Sequence, residues 1–324
     1  MILAGDLGAT KALLGLFDPT PARPRAVYAR AFPTTDFDSL TSVIHAFAAD
    51  PEARRMAVSA ACFGVAGPVL GATARLTNVP FTIDAIDVSR TFAVPHVRLM
   101  NDLEAMAYSV PVLEGSELHV LQTGEAIRGG NLALIAAGTG LGEALIHNVG
   151  DRLRPSATEA GHADWAARTE RDVDVLRFLV NRYGRAEVEH VVSGLGLPNL
   201  HRVTHPNGCD AGVDPDAADA PAALTSAALA RRCAACEEAL QIFVDAYGAE
   251  AGNLALRSVA TGGLFVGGGI APKILPALTD GRFLRAFRDK GAMRPLVEQT
   301  PVKIILNADA GLLGAAVAAA DPRQ

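Results

Sequence analysis

The chain opens with an apolar run over residues 1–4, the polar glycine turn Gly5-Asp6-Leu7-Gly8-Ala9-Thr10-Lys11, and a second apolar run over 12–17. That pattern predicts strand, turn, strand. A proline-rich turn at 18–24 leads to a third apolar segment at 25–32, so three antiparallel strands are expected at the start. Leu40, Val43, Ile44 and Phe47 recur at helical spacing and predict an amphipathic helix over 38–48. Residues 56–65 read as a buried strand ending in the bend Gly64-Val65-Ala66-Gly67-Pro68, and 72–78 as another short strand. Residues 97–100 end a further strand. Asp102 then opens an apolar helical run through Leu103, Met106 and Ala107.

Around Pro111 the pattern restarts. A strand is expected at 117–123, and the apolar run 132–136 enters Ala137-Gly138-Thr139-Gly140-Leu141-Gly142, followed by apolar residues to 147. This is again strand, glycine turn, strand, and the recurrence predicts an internally duplicated architecture whose halves face each other across a phosphate chain. Residues 154–164 read as a loop carrying Glu159 and His162, 169–182 as a helix, and 186–192 as a turn or two of helix carrying Glu189. An exposed loop at 207–221 precedes a long helical stretch, 225–259, expected to bend or split at Gly248 and Gly252. The run 264–266 enters Gly267-Gly268-Gly269-Ile270-Ala271-Pro272 ahead of a helix; a strand at 302–306 and a small-residue helix at 310–320 close the chain.

Composition narrows the function classes. A chain of 324 residues, 50% hydrophobic, has the length of roughly two domains with a cleft between them. A net charge of −6, a pI near 5.8 and the lack of a compact Lys/Arg run argue against nucleic acid or an anionic membrane as partner and favour a small soluble ligand. Asp6 comes too early for a signal peptide and no apolar run reaches the length of a membrane span, so a cytoplasmic protein is expected. Cys62 and Cys209 stand apart, while Cys233 and Cys236 form a CxxC. A zinc site would need two further ligands, none of which stands at a suitable spacing, so reduced structural thiols are expected.

Candidate chemistry gathers at the turns. Asn101 and Asp102 occupy a strand-to-helix corner, where a carboxylate can take a hydroxyl proton and an amide can read its neighbour; the same residue types are ordinary helix N-caps. The first glycine turn runs into a strand, unlike phosphate loops that run into a helix. Its backbone N–H groups can still cradle phosphate, with the Thr10 hydroxyl beside them. Asp6 would repel a bare phosphate, which points to an intervening cation such as Mg²⁺; an Asx-turn role fits it as well. Gly268 and Gly269 would let a base or ribose approach the backbone, although a tight structural turn explains them equally.

Taken in order, these motifs resemble the bacterial glucokinases of the actin-like, sugar-kinase and Hsp70 ATPase superfamily, collinearly over nearly the whole chain. The turns at 5–11 and 137–142 look like the family's two phosphate motifs, and 267–272 resembles its adenosine motif. Asn101-Asp102-Leu103-Glu104-Ala105 resembles the segment holding the catalytic aspartate, Glu159-Ala160-Gly161-His162-Ala163-Asp164 the sugar-binding segment, and Glu189-His190-Val191-Val192-Ser193-Gly194 the segment with a second sugar-binding glutamate. The chain departs at Ala9, where the family usually has glycine, at Ala160, often glycine, and at Phe81, often Trp.

The resemblance implies a two-domain actin-like (ribonuclease H-like) α/β fold with mixed sheets and an interdomain cleft: a small domain at 1–110 rejoined by 307–324, and a large one at 111–306. It implies a homodimer that phosphorylates glucose at its 6-hydroxyl with ATP and Mg²⁺. Asp102 would be the general base, and Asn101, Glu159, His162, Glu189, Gly67 and Asn78 would bind sugar. Asp6, Gly8, Ala9, Thr10, Lys11, Gly138, Thr139, Gly140, Gly268 and Gly269 would bind nucleotide, with Mg²⁺ near Asp6, directly or through water. A kinase of the same fold for another hexose or donor is the nearest competitor. A non-catalytic sugar-sensing regulator, or a kinase of acid anions, stands further off: regulators usually add a DNA-binding segment, and an anionic acceptor would call for Arg.

Overall fold

The computed structural model describes residues 1–20, 22–53, 57–76, 81–150, 152–205 and 208–321. The chain divides into two compact units, Met1–Glu114 with Asn307–Gln324, and Gly115–Leu306.

In the first unit the opening apolar runs form β1 (Ile2–Leu7), β2 (Lys11–Asp18) and β3 (Arg25–Pro33). Helix α1 (Leu40–Ala48) follows, its first turn closed by a Ser39–Ser42 capping box, and then β4 (Ala60–Val65). The short strands β5 (Val69–Leu70), β6 (Thr73–Arg75) and β7 (Thr82–Asp84) make a small antiparallel sheet. Helix α2 (Ala85–Phe92), strand β8 (His96–Asn101) and helix α3 (Asp102–Ser109) complete the run.

The main sheet has the order β3-β2-β1-β4-β8, antiparallel over β3-β2-β1 and parallel over β1-β4-β8. Apolar side chains cover both faces. Leu14, Phe47, Phe63 and Val88 share one core, while Ile2, Ala4, Leu13 and Met100 share another with Leu312, Ala315 and Ala316 of the C-terminal helix Ala310–Ala320. That helix is apolar nearly all round, as burial requires. In the parallel register Asp6 lies opposite Gly64 and Gly64 opposite Met100. Asp6, the bend after β4 and the Asn101-Asp102 corner therefore lie toward the same end of the sheet, where the parallel strands finish.

The second unit repeats the plan. It contains β9 (Leu118–Gln122), β10 (Leu132–Ala137), β11 (Leu141–Val149), β12 (Arg152–Thr158), α4 (Glu170–Tyr183), α5 (Gly196–Thr204), α6 (Ala220–Leu229) and α7 (Ala234–Ser258). Then come β13 (Gly263–Gly267), α8 (Leu275–Leu278), α9 (Arg282–Arg288), α10 (Arg294–Gln299) and β14 (Val302–Ile305). The sheet order is β12-β11-β10-β13-β14-β9, antiparallel from β12 to β10 and parallel from β10 to β14. Each unit thus contains a hairpin, β1–β2 or β10–β11, whose glycine turn is flanked by the ends of parallel strands.

Two sequence expectations change. Residues 152–158, expected mostly as loop, form the edge strand β12; its residues are half-buried or exposed, so no apolar alternation announced it. The long helical stretch is not broken at its glycines. It divides between α6 and α7, with Arg231 left-handed at φ 54° and Cys233 as the N-cap of α7, and α7 runs unbroken through Gly248 and Gly252. Those glycines admit α9 instead: a Cβ at 248 would lie 2.2 Å from the Phe283 carbonyl oxygen, and one at 252 would lie 2.5 Å from that of Phe287.

Candidate active site

In the first unit the β1–β2 turn is closed by Gly8 N–H donating to Lys11 O at 2.9 Å. Buried Thr34 fixes it from beneath: its hydroxyl donates to Gly8 O at 2.8 Å and its N–H to Thr10 O at 3.1 Å. The bonds at Gly8 and Thr10 go to carbonyls, so the turn can present the N–H groups of Ala9 and Thr10 to an anion. Asp6 sits beside it with its carboxyl pushed above the usual range by burial, opposed by Lys11 and reinforced by Asp309. Asp6 thus feels the charge of Asp309, and a carboxylate donor set of this kind fits a hard divalent cation.

At the end of β8, Asn101 is an N-cap. Its side-chain oxygen accepts from Leu103 N–H at 2.9 Å and Glu104 N–H at 3.4 Å, and Asp102 Oδ1 accepts from Leu103 N–H at 2.9 Å. The cap reading of this corner therefore holds for Asn101: its oxygen caps α3, and the amide N–H₂ takes no part in the cap. Asp102 has one carboxylate oxygen held against the helix start, so the group is oriented by its own backbone. Gly67 lies half-buried in the bend after β4, its N–H donating to Val65 O at 2.9 Å. Asn78 lies outside the described residues.

The second unit joins its glycine turn to carboxylates. Gly138 N–H donates to Gly140 O and Gly194 N–H to Gly138 O, each at 2.8 Å, and Thr139 is exposed at the tip. Glu189, in the 3₁₀ turn Val188–His190, accepts the Leu141 N–H on Oε2 at 2.7 Å. A Cβ at Gly140 would lie 2.4 Å from that oxygen, so the turn needs glycine where the carboxylate passes. The segment after β12 packs on the same strand start, since a Cβ at Gly161 would meet the Leu141 carbonyl oxygen at 2.2 Å. This places Glu159 and His162 on either side of that contact, both exposed.

His162 is positioned by a residue that sequence reasoning missed. Its Nδ1 lies 2.8 Å from Glu187 Oε2, which raises the imidazole pKa above 6.5 and lowers that of Glu187. Arg185 donates to the His162 carbonyl at 3.0 Å and to Asp164 at 2.7 Å, tying the same two segments. A second missed residue is Tyr247 of α7. Fully buried, its hydroxyl accepts from Ala137 N–H at 3.2 Å and donates to Gly267 O at 3.3 Å, holding the ends of β10 and β13 together. Ile270 N–H donates to Ala137 O at 3.2 Å, so the Gly268-Gly269 cluster is anchored beside the 138–140 turn; Gly268 takes φ 83° and Gly269 is exposed. A lone Tyr inside an apolar helix gave no signal of this role.

The glucokinase family model matches residues 3–322. The chain belongs to the glucokinase family. The glucokinase of Nostoc punctiforme is 37% identical over 339 residues, covering 99% of both chains. That of Escherichia coli O139:H28 is 32% identical over 314 residues, covering 96% of this chain and 94% of its own. A glucokinase from an Antarctic psychrotroph matches with a TM-score of 0.86 at 29% identity, covering 98% of each chain. A ROK-family glucokinase from Streptomyces griseus, solved with glucose and AMPPNP, shares the fold at a TM-score of 0.64 and 21% identity, again over 98% of each chain. The fold of this glucokinase-family chain is the actin-like sugar-kinase fold that the motif order implied. Among the described residues no helix is long and apolar enough to cross a membrane.

Proposed function

We propose that this glucokinase-family enzyme transfers the γ-phosphoryl group of ATP to the 6-hydroxyl of glucose. The observation that carries the reading is the joint in the second unit, where Glu189 is bonded to the base of the 138–140 turn and the Glu159–His162 segment packs on the same strand start. A phosphate-holding turn fused to acceptors for hydroxyls is what a kinase of a neutral polyol needs. Carboxylates suit that acceptor because charge-assisted hydrogen bonds are short and strong, and a site built for hydroxyls rejects analogues lacking them.

In this reading Glu159, Glu189, His162 and the Asn101 amide hold ring hydroxyls, with Gly67 and Asn78 lining the sugar. The Asp102 carboxylate takes the proton of the 6-hydroxyl as its oxygen bonds to the γ-phosphorus and the bond to ADP breaks. The turns Gly8-Ala9-Thr10-Lys11 and Gly138-Thr139-Gly140 position the polyphosphate through their backbone and the Thr10 and Thr139 hydroxyls, and the Gly268-Gly269 backbone receives the adenosine. Asp6 would hold Mg²⁺, directly or through water, and when bound the ion supplies positive charge against the phosphates. The resemblance also implies a cytoplasmic homodimer; light scattering on the purified chain tests the dimer.

The deciding experiment is a coupled assay of ADP release across a panel of hexoses, with ATP, ADP and polyphosphate as donors, followed by product analysis. Glucose 6-phosphate made from glucose and ATP at the highest kcat/KM is the expected result. Higher kcat/KM with another hexose or donor would reassign the substrate within the same fold, and turnover of no sugar would overturn the reading.

A further inference from the structure

The CxxC at Cys233 and Cys236 has no further ligands at a suitable spacing in sequence, and its thiols are free as expected, but the fold brings Cys236 together with side chains distant along the chain. His201 lies in α5 and His205 is its C-cap, one helical turn on, so both rings project from one face and stack with centroids 3.8 Å apart. Cys209 follows in the next loop and Cys236 stands in the first turn of α7. One donor atom from each of His201, His205, Cys209 and Cys236 falls within 4.8 Å of all the others. All the cysteines are free.

Two of the spacings match the edges of a metal polyhedron. Cys209 Sγ lies 3.7 Å from Cys236 Sγ, and Cys236 Sγ lies 3.5 Å from His205 Nε2. Around a tetrahedral zinc with its usual bond lengths, the sulfur–sulfur edge is about 3.8 Å and the sulfur–nitrogen edge about 3.5 Å. His201 adds an independent observation. It is 4% exposed, and among the described residues neither ring nitrogen has a hydrogen-bond partner. A buried imidazole with both nitrogens unpaired is costly and calls for something to accept its lone pair. His205 is prepared for the same role: its Nδ1 lies 2.8 Å from the His201 carbonyl oxygen, the outer bond that leaves Nε2 bare and aimed at the sulfurs.

We propose that His201, His205, Cys209 and Cys236 form a closed four-ligand site for one zinc ion that pins α5 and the loop after it to the start of α7. On binding, the two thiols release their protons to solvent and the two thiolates neutralise the ion's charge. With all four positions filled by protein, the ion is structural and does not meet substrate. Cys233, whose Sγ lies 3.3 Å from His205 Nε2, stands beside the site as a thiol outside the ligand set.

The test uses the full chain purified without a polyhistidine tag or chelator. Elemental analysis should give about one zinc per chain, the content of a single four-ligand site. Replacement by Co²⁺ should give visible bands of tetrahedral geometry and near-ultraviolet charge transfer from two thiolates. Chelation should lower Tm, and added zinc should restore it. Cys209→Ser and His201→Gln should lose the metal while Cys233→Ser keeps it. The cobalt spectrum of the unaltered chain decides the matter even where a variant fails to fold. Protein that takes up neither zinc nor cobalt, a Cys209–Cys236 disulfide found in the freshly purified chain, or loss of metal on Cys233→Ser with retention on Cys209→Ser would each overturn the proposal.

Discussion

Asp102 and His162 are the residues at which the proposed chemistry is most directly tested. Asp102→Asn keeps the shape of the α3 start but removes the proton acceptor. Turnover should fall at least about a hundredfold, the usual scale of general-base catalysis, with glucose affinity by calorimetry changed little. For His162 the test is electrostatic. Glu187 holds its imidazole above 6.5, so the pairing stabilises the fold fully below pH 6.5 and the contribution is lost as pH rises through the raised folded value. Glu187→Gln should bring the His162 titration, followed by NMR of the ring, down toward 6.5; an unmoved titration would remove Glu187 from its positioning role. The sequence made Asp102, Glu159 and Glu189 legible because each stands in a polar corner or turn with motif neighbours. Glu187 was hidden because its role exists only after the backbone at Ala163–Trp165 bonds to that at Ala186–Val188.

Among the elements, hairpins and amphipathic helices were readable, since their periods come from burial on one face. Helix α7 was misread because glycine carries opposite signals as helix breaker and as packing contact. Gly248→Ala separates the two. Helix propensity alone would gain about 1 kcal/mol. A Cβ 2.2 Å from the Phe283 carbonyl oxygen must instead move α9 or strain α7, and overpacking of that kind costs typically about 1–3 kcal/mol. The clash should win: the urea midpoint should fall with the slope unchanged. A midpoint that rises would show that α9 yields easily and that the glycine is there for another reason. Position 140 behaves differently, because Ala there would displace the Glu189 carboxylate rather than a helix, so its loss should appear in sugar and nucleotide affinity.

At the scale of the molecule, the repeated sheet plan was visible as two glycine hairpins at corresponding positions, whereas buried charge was invisible. Glu143 sits on β11 with no exposed surface, and Glu250 of α7 and Arg257 face it; Arg257 lies 3.5 Å from Glu143 and 2.6 Å from Glu250. Burial first, then the Glu250 charge, raises the Glu143 carboxyl from 4.5 to about 8, against the pull of Arg257. In the unfolded chain the same carboxyl ionises near its ordinary value. Between those two values the native state holds a proton that the unfolded state has lost, so stability falls as pH rises. The slope is at most about 1.4 kcal/mol per pH unit, and less where the two carboxyls share the titration. Gln is a near-isostere of the protonated acid. Glu143→Gln should therefore match the parent chain near pH 5, flatten the decline toward pH 8 and be the more stable protein there, as read from urea unfolding across that range. A parent chain whose stability is flat over the same interval would show that Arg257 keeps Glu143 ionised. The buried group would then be one half of an ion pair, and Glu143→Gln would destabilise the fold at every pH by leaving that arginine with Glu250 alone.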